Sequence, residues 1–173
     1  MKGVLIFLAS LFLSGKSVAQ EVIFWDSAAK LTWADYLGKV DAKSPFDAAT
    51  VSGIQFRLKL SGEGLTDSVV AVFYKTDSWV KKRTESSLIH EQGHFDITEI
   101  FARKLPERIE EFVPGRGDLA HQLKLLYDAV ESEREAMEIR YDKETRHSMN
   151  AGRQAYWNVR IGKELKAFEK FAE

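Results

Sequence analysis

Near Thr84 the hydrophobic period of the chain changes, and this change restricts the fold more than any other feature. Before it, Val22 to Trp25, Ile54 to Leu60 and Val69 to Tyr74 are short runs rich in β-branched and aromatic residues, separated by Gly, Asp and Ser. They are predicted strands. The run Ile54-Gln55-Phe56-Arg57-Leu58-Lys59-Leu60 alternates apolar and polar side chains, placing one face on a core and the other in water. The link Ser61 to Asp67 has the length and glycines of a loose antiparallel hairpin, and Thr32-Trp33-Ala34-Asp35 has the spacing of a capping box that opens a short helical turn.

After Thr84 the apolar residues Leu88, Ile97, Phe101, Leu105, Ile109 and Phe112 follow a helical period. Pro106 is expected to kink or split this helix, because it lacks an N–H and crowds the preceding turn. Pro114-Gly115-Arg116-Gly117 ends it, and Asp118 is a natural N-cap for a second helix reaching about Tyr141. A third helical stretch runs from about Gln154 to Phe171. The expected fold class is α+β, with a small antiparallel sheet in the N-terminal half and helices in the C-terminal half.

The N-terminus carries a different kind of signal. Lys2, the apolar run Val4 to Leu13 and the small residues Ser17-Val18-Ala19 have the layout of a cleavable signal peptide over residues 1–19. Ten residues fall short of the roughly 20 that span a bilayer, so no stable membrane span is expected after cleavage. Cleavage leaves residues 20–173 as one domain, large enough to fold without a structural metal. With no cysteine in the chain, neither a disulfide framework nor a thiol nucleophile is available. A bacterial periplasm or exterior is the expected location. Once Lys2 and Lys16 leave, 23 Lys and Arg stand against 26 Asp and Glu, which excludes a basic nucleic-acid surface.

The chemistry is concentrated in His90-Glu91-Gln92-Gly93-His94. On a helix, residues four apart stand over one another, so His90 and His94 can offer imidazole nitrogens to one ion, with Glu91 beside them. Zinc takes such ligands, and a catalytic site keeps one position for water. Glu91 is then the candidate general base. Asp96 and Glu99 point away from the histidine face at 100° per residue, and are expected to be solvated or to support the site from behind. The third ligand lies elsewhere, among His121, the series Glu131, Glu133, Glu135 and Glu138, and the cluster Tyr141 to His147 with Asp142 and Glu144. The glutamate series has the pattern of a wet helix face, and His121 that of a packed or capping histidine. Spacing alone leaves Glu144 and His147 both open.

The string Leu88-Ile89-His90-Glu91-Gln92-Gly93-His94-Phe95-Asp96-Ile97, with Ala102-Arg103-Lys104-Leu105 and later Tyr141-Asp142, Glu144-Thr145 and His147, resembles the predicted secreted zinc-dependent proteases of bacteria. Leu31 to Tyr36 with Gly38, Thr50 with Ser52-Gly53-Ile54, and Gln154 with Trp157 and Ile161 extend the resemblance over most of the chain. It departs at Ser148, where glycine is usual. The resemblance implies a metallopeptidase-like site and places the third ligand at His147. Zinc held by His90, His94 and His147, Glu91 as base and Tyr141 as donor to the developing oxyanion make up the expected catalytic set, with peptide or protein as substrate. The alternatives are a zinc amidase of cell-wall peptides and an exported zinc-binding or peptide-binding module without catalysis. Trp25, Trp33, Trp79 and Trp157 are expected in the core.

Overall fold

The computed structural model describes residues 21–61 and 64–172, so the expected signal segment lies outside the described residues. Three strands form an antiparallel sheet in the order β1-β4-β3: β1 (Val22–Phe24), β3 (Ser52–Ser61) and β4 (Gly64–Tyr74). A separate two-stranded ribbon pairs β2 (Ala48–Ala49) with β5 (Trp79–Val80). Three helices follow, α1 (Glu85–Glu110), α2 (Leu119–Thr145) and α3 (Ala151–Ala167), which makes the fold α+β as expected. The hairpin is tighter than the loose link expected from the glycines. β3 and β4 stay in register from Ser52↔Phe73 to Ser61↔Gly64.

Local chemistry explains the boundaries. Asp35 accepts from both the backbone N–H and the hydroxyl of Thr32, each at 2.8 Å, and the turn Trp33–Asp35 is 3-10 helical. Thr84 caps α1 by accepting from the Ser87 N–H at 3.1 Å, and Asp118 caps α2 by accepting from Ala120 at 2.9 Å. Pro106 does not split α1, which runs on to Glu110. The residues around it explain why: Leu105 is fully buried and Ile109 packs on the core, so tertiary contacts hold the helix together past the missing N–H.

Ile97 to Arg103 of α1 are buried without interruption, a pattern no helix with a wet face can show. This helix is enclosed, packing on β4 and β3 of the sheet as well as on α2 and α3. Its surroundings form one apolar cluster that draws Leu31, Tyr36, Ile54 and Phe73 from the N-terminal half and Val130, Tyr141, Trp157 and Ile161 from the helices. Trp157 is fully buried, while Trp25 and Trp33 pack against the cluster from its edge. Trp79 stays half-buried in β5, outside that cluster.

Two acids of α1 on the side away from the histidines are paired. Of the two roles expected for Glu99, solvation is excluded: it is buried and receives Arg103 Nε at 2.8 Å, while Arg103 Nη1 donates to the Leu165 carbonyl at 2.7 Å and the guanidinium lies over the Trp25 ring. Asp96 accepts from Trp25 Nε1 at 2.8 Å and from Gln92 Nε2 at 2.7 Å. Both acids tie α1 to its neighbours on the side away from the histidines. Among the described residues, no helix is long and apolar enough to cross a membrane.

Candidate metal centre

α1 presents His90 and His94 one turn apart, and α2 brings Asp142 across to meet them. Their Nε2 atoms each stand 3.1 Å from Asp142 Oδ1. His147 adds its Nδ1 at 3.4 Å from the same oxygen. One ligand atom each from His90, Asp142 and His147 lies within 4.8 Å of the others, a group that could hold a metal ion; His94 is outside that group but contacts the same carboxylate oxygen. Donor atoms around a tetrahedral zinc stand roughly 3.3 Å apart, as follows from bonds of about 2.0–2.1 Å. The three separations from Asp142 Oδ1 to the histidine nitrogens, 3.1–3.4 Å, are of that size.

His147 reaches the group through unusual backbone. α2 ends at Thr145, and Arg146, His147 and Ser148 all adopt left-handed conformations, with φ of 54°, 50° and 70°. Each such residue with a side chain is strained by roughly 1–2 kcal/mol. The turn folds the chain back over the end of α2, and the His147 N–H donates to the Asp142 carbonyl at 3.2 Å. The ring of His147 packs against Phe46, with centroids 4.5 Å apart, and is the most exposed of the three imidazoles.

The orientation of His90 is fixed from behind. Gln154 of α3 donates its amide to the Tyr141 hydroxyl at 2.7 Å and to Asn158 Oδ1 at 2.9 Å, leaving its carbonyl oxygen to accept from His90 Nδ1 at 3.2 Å. That contact turns Nε2 toward the centre and would keep the proton on Nδ1 once a metal were held there, the usual support for a metal-binding histidine. Tyr141 stacks on the His90 ring at 4.6 Å and donates its hydroxyl to the His90 carbonyl at 3.0 Å. The tyrosine is fully buried, and burial pushes its hydroxyl above the usual range. Expected as an oxyanion donor, Tyr141 is instead occupied on both sides of its hydroxyl and acts on the site by positioning His90.

Electrostatics follow from the same contacts. Burial would raise the Asp142 carboxyl, but hydrogen bonds from His90 and His94 outweigh it and hold the group well below the usual carboxylate range. Burial would lower His94, yet its bond to Asp142 and the nearby Glu91 raise it. Glu91 is 6% exposed, and its Oε2 has no hydrogen-bond partner, a costly position for a carboxylate unless a cation or water meets it.

The other sequence candidates stand outside this donor group, although Glu135 and Glu138 line the same cleft. Glu144 faces α3, accepting from Trp157 Nε1 at 2.9 Å and pairing with Arg140 and Arg153. Glu131 and Glu138 pair with Arg134, and Glu133 with Arg108, while His121 is exposed near the start of α2. Sequence reasoning underrated Asp142 and gave Gln154 no role. A signal for Gln154 was present, since it lies three and seven residues before Trp157 and Ile161 and puts an amide on a buried apolar face.

Residues 74–148 match a family described as bacterial protein of unknown function (DUF922). The matched span runs from the end of β4 through the left-handed turn, so it contains His90, Glu91, His94, Asp142 and His147. Its description names no activity. No curated protein and no solved structure matches the chain.

Proposed function

We propose that this chain is an exported zinc-dependent hydrolase of peptide bonds. The observation that carries the reading is Glu91, a buried carboxylate with an unpartnered oxygen, lining the same cleft as three imidazoles and Asp142. A site that only stores metal gains nothing from such a group.

The donor set fits zinc, with His90, His94 and His147 as nitrogen ligands and Asp142 as an oxygen ligand or partner. A zinc ion there supplies a Lewis acid for a carbonyl and brings the pKa of a water molecule toward neutrality. Glu91 Oε2 accepts a proton from the attacking water as its oxygen bonds to the carbonyl carbon. The same proton passes to the amide nitrogen as the C–N bond breaks. Gln154 and Tyr141 keep the His90 ring in register throughout. The cleft, about 660 Å³ in volume, runs beside β2 and has room for an extended segment of chain.

A second reading has its own observation. If Asp142 and all three histidines bind the ion together, four protein donors fill a tetrahedral site and leave no position for water, as in a metal-binding module. Glu91→Gln separates the two readings. In a hydrolase the variant retains zinc by elemental analysis and loses about 10² to 10⁴-fold in cleavage of an unfolded protein. Wild type that holds zinc but cleaves nothing across a broad peptide library, with Glu91→Gln identical to it, favours the module.

A further inference from the structure

The charged groups around the cleft are unbalanced. Asp47, Glu91, Glu135, Glu138 and Asp142 line it, and neither lysine nor arginine does. A divalent ion held at the centre would offset Glu91 and Asp142. Glu138 is paired with Arg134 Nη1 at 2.8 Å. Two carboxylates are left over: Asp47, from the segment entering β2, and Glu135, from the middle of α2. Both are exposed, and neither side chain has an ion-pair or hydrogen-bond partner among the described residues.

Apolar groups stand next to each of them. Phe46 precedes Asp47, and Ile139 lies one turn after Glu135 on the same face of α2, at 42% and 69% exposure. Lysine and arginine side chains need this combination, an apolar surface for the methylene stem and an anion for the head. Glu91 lines the same cleft, and its buried oxygen without a hydrogen-bond partner is a separate sign that a ligand enters there.

We propose that the cleft selects polypeptide segments bearing a lysine or arginine, held between Asp47 and Glu135 with the stem on Phe46 or Ile139. The consequence for cleavage rests on the hydrolase reading, but the selectivity itself is a binding property and is measured without turnover. Excluded substrates are acidic segments, which meet two uncompensated carboxylates.

The test uses the full chain carrying Glu91→Gln, loaded with zinc, and a fluorescent unstructured peptide with lysine at its centre. Matched peptides replace the lysine with norleucine or glutamate. Anisotropy is expected to give lysine over norleucine by about 3 to 10-fold, the size two solvent-exposed charge pairs supply, with glutamate weakest. Adding Asp47→Asn and Glu135→Gln should bring the lysine-to-norleucine ratio close to one, and Glu110→Gln on the exposed end of α1 should leave it unchanged. Raising salt toward roughly 1 M should shrink the preference in parallel. Equal affinity for the three peptides, or a lysine preference that survives the double substitution, overturns the proposal. If the preference is present and depends on the walls while wild type cleaves none of the peptides, the selectivity stands and the hydrolase reading falls.

Discussion

Tyr141 of α2 seats its hydroxyl against Gly93 of α1, in the space that a side chain on Gly93 would occupy. The glycine between the two histidines therefore serves the fit of one helix on the other. It also lets Tyr141 come close enough to stack on His90.

Gly93→Ala should destabilise the protein by about 1–2 kcal/mol, because overpacking at a fully buried tyrosine outweighs the helix propensity gained by alanine. Zinc affinity should fall about 10 to 100-fold as His90 loses its support. Tyr141→Phe in the same chain removes the clashing oxygen and should recover part of the loss. Urea denaturation and zinc competition measure both effects, and strictly additive losses in the double variant would rule out this contact as the cause.

Ser148→Gly should stabilise the chain by about 0.5–1 kcal/mol. Ser148 holds a φ of 70°, which glycine adopts without strain. Zinc content should stay the same, since His147 keeps its place. A lower urea midpoint for the variant would show that the serine side chain is needed in the turn.

The third prediction separates the acids of the late cluster. Asp142→Ala and His147→Ala should each lose zinc. Glu144→Ala should retain it but cost about 1–3 kcal/mol, because the buried Trp157 Nε1 loses its acceptor. A zinc-free Glu144→Ala protein with an intact fold would exclude the arrangement described here.

The metal-free protein should have a particular pH profile. Asp142 is depressed below its ordinary value of 3.8, so its contribution is present above that pH and disappears as pH falls through the folded value. His94 is raised above 6.5, so its contribution is complete below that pH and is lost as pH rises through its folded value. Stability after chelation should therefore be highest between about pH 4 and 6.5, and added zinc should raise stability most above that window, where protons no longer compete for the imidazoles. Thermal unfolding across pH, with and without zinc, tests this.

The residues read most easily from the sequence were those whose geometry is local. His90, Glu91 and His94 share one helix, and their relation follows from 3.6 residues per turn. The strands around Ile54 and Val69, the capping box at Thr32 and the cap at Asp118 were legible for the same reason. Asp142 and Glu144 are two residues apart on one helix and face different neighbours, α1 and α3, which only the packed helices decide. His147 joins the group through three consecutive left-handed residues, and no helical or strand period encodes such a turn. Pro106 illustrates the reverse case, since the split it could cause does not occur beside the buried Leu105.

His90 and Asp142 are 52 residues apart in the chain. An ion gripped by both is thus a removable cross-link that closes a long loop, and for a loop of this length the chain-entropy model puts the stabilisation on the order of 4 kcal/mol. In a chain without cysteine, such a cross-link would do the work that a disulfide does in other small domains. Stripping a bound ion would then loosen the junction of α1 and α2 at the donor group itself, so the metal-free form should be the one that proteases digest more readily.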